Sequence, residues 1–223
     1  MNISLPSILF PVVCVVLLVS CNVQSAVMPN TPVPLPSPTK TVFVFYYYDW
    51  KKNWLNNATC APPCWEGITP GQSSLQEATE FIEDIPRVEI QYTSKGEIEW
   101  WANSYRGRVV TGDGYSTILY ITTQFDSDEY ISLQDAISVF GQPTDVEIYA
   151  CIHSMCYVNA IYPEFGLALQ FELKSPEKSV KIEESTNVLA AIFFIPGMNN
   201  YMNLPPFKDG LFKRWNGYGI YSE

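Results

Sequence analysis

The sequence predicts an α+β fold: two helix-then-antiparallel-strand repeats sharing one sheet, with the helices packed on one face. Three observations predict it. Ser74-Leu75-Gln76-Glu77-Ala78 recurs as Ser132-Leu133-Gln134-Asp135-Ala136, and Val88-Glu89-Ile90 recurs as Val146-Glu147-Ile148, both at an offset of 58 residues. Two matches explained by one shift indicate duplicated units, although Pro86 and Pro143 fall one residue out of it. Each unit opens with a hydroxyl residue and a carboxylate three positions on, the capping-box pattern of a helix start. Apolar and polar residues then alternate in the segments that follow, as in strands with one buried face.

Taken in order, residues 1–20, MNISLPSILFPVVCVVLLVS, hold no charged side chain, and 8–19 is a nearly unbroken apolar run. That length suits a signal-peptide core better than a spanning helix, which needs ~20 apolar residues. The run ends in Leu18-Val19-Ser20-Cys21, which resembles the lipobox of bacterial lipoproteins. The resemblance implies cleavage before Cys21 and a lipid on it, hence an extracytoplasmic domain anchored to a bacterial membrane. The segment before the run departs from the pattern in having no Lys or Arg; either the start lies upstream or the α-amino charge serves. An uncleaved N-terminal anchor is the alternative, and it places the body on the same side of the membrane.

Residues 21–41 carry Pro29, Pro32, Pro34, Pro36 and Pro38. Such spacing excludes helix and central strand and favours extended polyproline geometry, a semi-rigid stalk of ~3 Å per residue. From residue 42 the composition changes to TVFVFYYYDWKKNW, an aromatic strand and a polar turn. The folded domain is expected over 42–195, with a first unit at about 66–125 and a second at about 131–195. Residues 196–223 form an aromatic, glycine-containing extension.

In the first unit, Leu75, Ala78, Phe81, Ile82 and Ile85 make one helical stripe; in the second, Leu133, Ala136, Ile137 and Phe140 do, ended by Gly141 and Pro143. Residues 88–92 and 97–101 read as a hairpin about Ser94-Lys95-Gly96. Residues 115–125 read as a strand, 146–151 and 156–161 as a second hairpin, and 167–173 as an alternating strand. Residues 188–195 are apolar on both faces and read as a central strand. Helices cover one face of this sheet. The other, with Glu89, Gln91, Glu97, Glu99, Trp101, Glu147, Gln170 and Glu172, is expected to be polar and partly solvated.

The run Ile68-Thr69-Pro70-Gly71-Gln72-Ser73-Ser74 and the run Phe140-Gly141-Gln142-Pro143 resemble the two ends of the motif in SmpA/OmlA-type small outer-membrane lipoproteins. The tandem arrangement is similar to that of β-lactamase inhibitor proteins. Together these resemblances cover about residues 66–195. The glycine run occurs only in the first unit and the Gly-x-Pro exit only in the second, so they imply fold and not function. Pro63-Cys64-Trp65-Glu66-Gly67-Ile68 also resembles bacterial lipoproteins of no known activity that carry a PCW-x-GI-x-PG run.

Composition excludes several classes. A net charge of −10 argues against nucleic acid and against a polybasic grip on anionic lipid. One histidine, His153, leaves little material for histidine-based catalysis or metal binding. Once Cys14 leaves with the signal, Cys60, Cys64, Cys151 and Cys156 read as two disulfides in an oxidising compartment. Three connectivities are possible, and the local pairs Cys60–Cys64 and Cys151–Cys156 are favoured. The alternatives are redox exchange, disfavoured by the three-residue spacing, and a thiolate zinc site. Glu97 with Glu99, and the loop Asp126, Asp128 and Glu129, read as solvated charge rather than a glycosidase pair or a calcium loop. No phosphate loop and no nucleophile elbow is present.

The aromatics are the functional signal. If Trp100 faces inward with Ile98, Trp101 faces outward with Glu97 and Glu99, where an indole can anchor a protein or sugar. Trp215, Tyr218 and Tyr221 in the tail either pack across a sheet edge or stand free for a partner. The expected function is therefore non-enzymatic and without cofactor: a lipid-anchored binding or scaffolding module for another envelope macromolecule. The alternative is a carbohydrate or cell-wall-binding module using the exposed Trp and Tyr side chains, and an enzyme of unknown type is less favoured.

Overall fold

A computed structural model of the chain describes Leu55 and residues 60–222 apart from 94–95, 103–104, 113–115, 126–130, 176–178 and 208. The expected signal peptide, Cys21, the stalk, the aromatic stretch after residue 42 and the Asp126, Asp128 and Glu129 loop lie outside the described residues. Three helices, α1 (Leu75–Glu83), α2 (Leu133–Phe140) and α3 (Met198–Met202), accompany thirteen strands among those described. Nine strands form one antiparallel sheet in the order β1 (Glu89–Tyr92), β2 (Glu97–Ala102), β3 (Tyr105–Thr111), β4 (Ile118–Phe125), β11 (Ala190–Phe194), β8 (Leu167–Lys174), β7 (Met155–Tyr162), β6 (Asp145–Ile152) and β12 (Leu211–Arg214). Two short pairs lie beside it: β5 (Ile131–Ser132) with β10 (Asn187–Val188), and β9 (Ser179–Ile182) with β13 (Gly219–Ser222).

This architecture corrects the expected α+β class. The protein is mostly β, and the large sheet dominates it. The capping boxes form at Ser74 with Glu77 and at Ser132 with Asp135, but the helices they start run for only 9 and 8 residues. The first reaches its C-cap at Asp84, two residues before Pro86. The second ends at Gly141, whose φ of 78° lies in the left-handed region. Nor does the sheet divide into two repeats. Its last edge, β12, comes from the C-terminal extension, and β11 is bonded to β4 on one side and β8 on the other.

The face under α1 and α2 holds the larger core, where Ile98 and Trp100 of β2, Val109 of β3 and Phe171 of β8 meet Ala78, Ile82, Leu133 and Ala136. Trp65 stacks on Trp100 with centroids 5.6 Å apart, meets Phe81 edge-on and donates its Nε1–H to the Tyr105 hydroxyl at 2.9 Å. Gly107 makes this possible. It is the register partner of Trp100, and a Cβ there would lie 2.4 Å from the indole.

The opposite face departs furthest from expectation. Over β6, β7, β8 and β11 it is covered by α3 and the turns after it. Tyr201, Leu204 and Phe207 pack on Ile161, Ala168, Ile192 and Phe194. The extension is thus part of the fold, and Glu147, expected on a solvated face, is fully buried. This face opens to solvent over β1 to β4, as predicted for Glu89, Gln91, Glu97, Glu99 and Trp101, and again at Glu172 towards the end of β8. Among the described residues no helix is long and apolar enough to cross a membrane.

Candidate functional site

Where the C-terminal cover stops, an open groove of about 380 Å³ lies on the sheet. Strand alternation supplies its floor: Glu99 and Trp101 of β2, Arg106 and Arg108 of β3, and Tyr120, Thr122 and Gln124 of β4. Tyr149 and Gln170 enter from β6 and β8, and Pro206 and Phe207 from the cover. Trp101 is 36% exposed. Arg108 donates through Nε to Glu99 Oε1 at 2.9 Å, makes a second contact through Nη2, and lies 3.9 Å from Glu97. The strong cation and carboxylate of the floor therefore satisfy one another, with part of each still accessible to solvent.

A polar network runs from this groove into the buried layer. The Gln170 side-chain amide donates to the Tyr149 hydroxyl at 2.7 Å and to Asn159 Oδ1 at 3.4 Å. Asn159 Nδ2 donates to Glu147 Oε2 at 2.9 Å and to the Tyr201 hydroxyl at 2.7 Å, and that hydroxyl donates to the same carboxylate oxygen at 2.5 Å. Glu147 Oε1 has no hydrogen-bond partner among the described residues and faces Gly210, where a Cβ would lie 2.0 Å away. Burial pushes the Glu147 carboxyl up to about 7, with the bonds from Tyr201 and Asn159 pulling the other way. Burial, then the adjacent Glu147, push the Tyr201 phenol up as well, so it stays a donor.

Of the residues singled out in the sequence, Trp101 lies in the groove. Trp215 and Tyr218 do not join it. They pack against the larger core on the other face, with Trp215 Nε1 donating to Gln142 at 2.5 Å and the Tyr218 hydroxyl donating to Gln134 at 2.7 Å. The tail takes the edge-packing alternative, β12 on β6 and β13 on β9.

The cysteines form two disulfides, Cys60–Cys64 and Cys151–Cys156, in the local pairing, which is compatible with an extracytoplasmic compartment. The first closes the loop that places Trp65 in the core. The second clamps a hairpin whose turn residues His153 and Ser154 both have positive φ, as a type I′ turn requires. Among the described residues no cluster of three or more His, Cys, Asp and Glu side chains could hold a metal.

Arg106, Tyr149 and Phe207 escaped sequence reading, as did the burial of Glu147. Tyr149 and Phe207 reach the groove only through long-range folding, whereas Arg106 stands opposite Trp101 in the β2–β3 hairpin. For Glu147, the aligned polar partners Asn159 and Gln170 were the available signal. A comparison with known proteins finds no matching family, no matching curated protein and no matching solved structure.

Proposed function

We propose that this protein is a lipid-anchored, extracytoplasmic binding module whose groove over β2, β3 and β4 holds part of another envelope macromolecule. The observation that carries the reading is the groove itself, an open, aromatic and polar concavity on a rigid sheet interior. The leader, Leu18-Val19-Ser20-Cys21 and the proline-rich spacer support the anchored placement. Binding is favoured over catalysis because Glu99 is tied to Arg108, while Glu147, the carboxyl with the raised pKa, is buried and does not line the groove. A photo-crosslinking residue at position 101, introduced into the full chain in intact cells, is expected to capture a specific adduct that the same probe at exposed Lys181 does not. Identical adduct patterns from both positions would remove the groove as the site.

A second reading, a carbohydrate or cell-wall ligand, is favoured by one feature of the lining. Trp101, Tyr149 and Phe207 supply flat apolar surfaces, and Thr122, Gln124 and Gln170 supply hydroxyl-matching polar groups between them.

A further inference from the structure

Charge is unevenly satisfied along the groove. Arg108 is met by Glu99 and approached by Glu97. Arg106 lines the same groove, is exposed, and has no ion pair among the described residues. It is also the direct register partner of Trp101 across β2 and β3, and of Gln124 across β3 and β4. Directly opposed residues of an antiparallel pair stand ~5 Å apart on one face. A free guanidinium fork and a half-exposed indole are therefore presented side by side, with an amide next in line. On a chain of net charge −10, a cation without an ion pair among the described residues is a local exception, and it selects for an anionic group on the ligand.

The ligand that meets these groups needs a flat apolar face, an anionic substituent about one strand spacing away, and hydroxyls beyond it. An acidic peptide fits less well. The floor is sheet interior, where the backbones of β2, β3 and β4 are already bonded to one another, so no edge is offered to an added strand. Sugars present a C–H face on one side and hydroxyls at the rim, and acidic sugars add a carboxylate or an ester of sulfate or phosphate. Resting on the carbohydrate reading above, we propose that the groove binds an acidic saccharide, with Trp101 stacked on the ring, Arg106 on the anionic group, and Gln124 and Thr122 on hydroxyls. Arginine suits this role because its planar fork matches carboxylate and phosphate oxygens in pairs.

The test is calorimetric titration of the full chain in detergent with uronate oligomers, sialylated and sulfated chains and muramyl wall fragments, each beside its neutral counterpart. At least one acidic member is expected to bind about tenfold more tightly than its neutral partner at low salt, with the margin shrinking as salt screens the pair. Arg106→Gln is expected to abolish the margin, with an unchanged urea unfolding midpoint reporting an intact fold. Trp101→Ala is expected to weaken acidic and neutral binding alike. Equal affinity for acidic and neutral members, or a margin unchanged in Arg106→Gln, would overturn the acidic assignment and leave the carbohydrate reading standing. Binding to no saccharide would overturn both, and a protein captured by the probe at position 101 would then keep the groove as a protein-binding site.

Discussion

A buried carboxyl held by two donors, as Glu147 is by Tyr201 and Asn159, makes folding sensitive to pH. In the unfolded chain such a group titrates near 4.5, and in the fold at about 7. Between those values the native state keeps a proton that the unfolded chain has lost. Its contribution is fully present below pH 4.5 and is lost as pH rises through 7, a change of about 3 kcal/mol if the full displacement is realised. Glu147→Gln should remove that part of the slope between pH 5 and 8, as read from urea unfolding at several pH values. A variant whose stability curve runs parallel to that of the parent would show that another group carries the slope. At this scale the sequence was half legible. Alternation put Trp101 outward beside Glu97 and Glu99, where it is. The same alternation put Glu147 in solvent, because period-two reasoning names a face and not what later covers it.

Elements were legible where their signals are local. Each capping box forms: Ser74 and Ser132 accept from the backbone N–H of Glu77 and Asp135, and the hydrogen bonds that the Ser74 backbone and hydroxyl give Glu77 hold its carboxyl below the usual range. The hairpin of β6 and β7 lies where alternating runs flank a short turn, and Cys151 and Cys156 sit directly opposite each other in its register. Replacing both with Ser should cost about 2 kcal/mol by loop entropy, since the loop they close is short, and the loss should appear as a lower urea midpoint with the slope unchanged. No loss would mean that the turn holds the hairpin unaided. Two elements gave no such signal. The stretch that forms β3, YRGRVVT, is assigned no element from the sequence, since a mid-strand glycine between Arg106 and Arg108 gives no strand signal, yet Gly107 is there to admit Trp100. In α3, MNNYM, the helix is five residues long with no side-chain cap, and it is held by Tyr201 in the core.

Over the whole molecule, the expected two-repeat α+β body gives way to a mostly β protein because the C-terminal extension is structural. Tyr201, Leu204 and Phe207 are buried on the second face, and each such side chain is worth ~1.5–3 kcal/mol of burial. Domains of this size hold a net ~5–15 kcal/mol, so ending the chain at residue 196 should abolish cooperative unfolding and raise binding of an apolar dye. A truncated chain that melts like the full one would show the cover to be dispensable. Nothing local in residues 196–223 marks them as core, since their partners are strands as distant in sequence as β6 and β9. The same arrangement sets an order of events. β4 and β11 meet where Ile121 faces Phe193, and Pro206 and Phe207, the groove's far wall, follow β11 in sequence. A chain emerging N-terminus first therefore makes the strands of the groove's floor before its far wall, and the concavity exists only once residues past β11 have folded back onto the sheet.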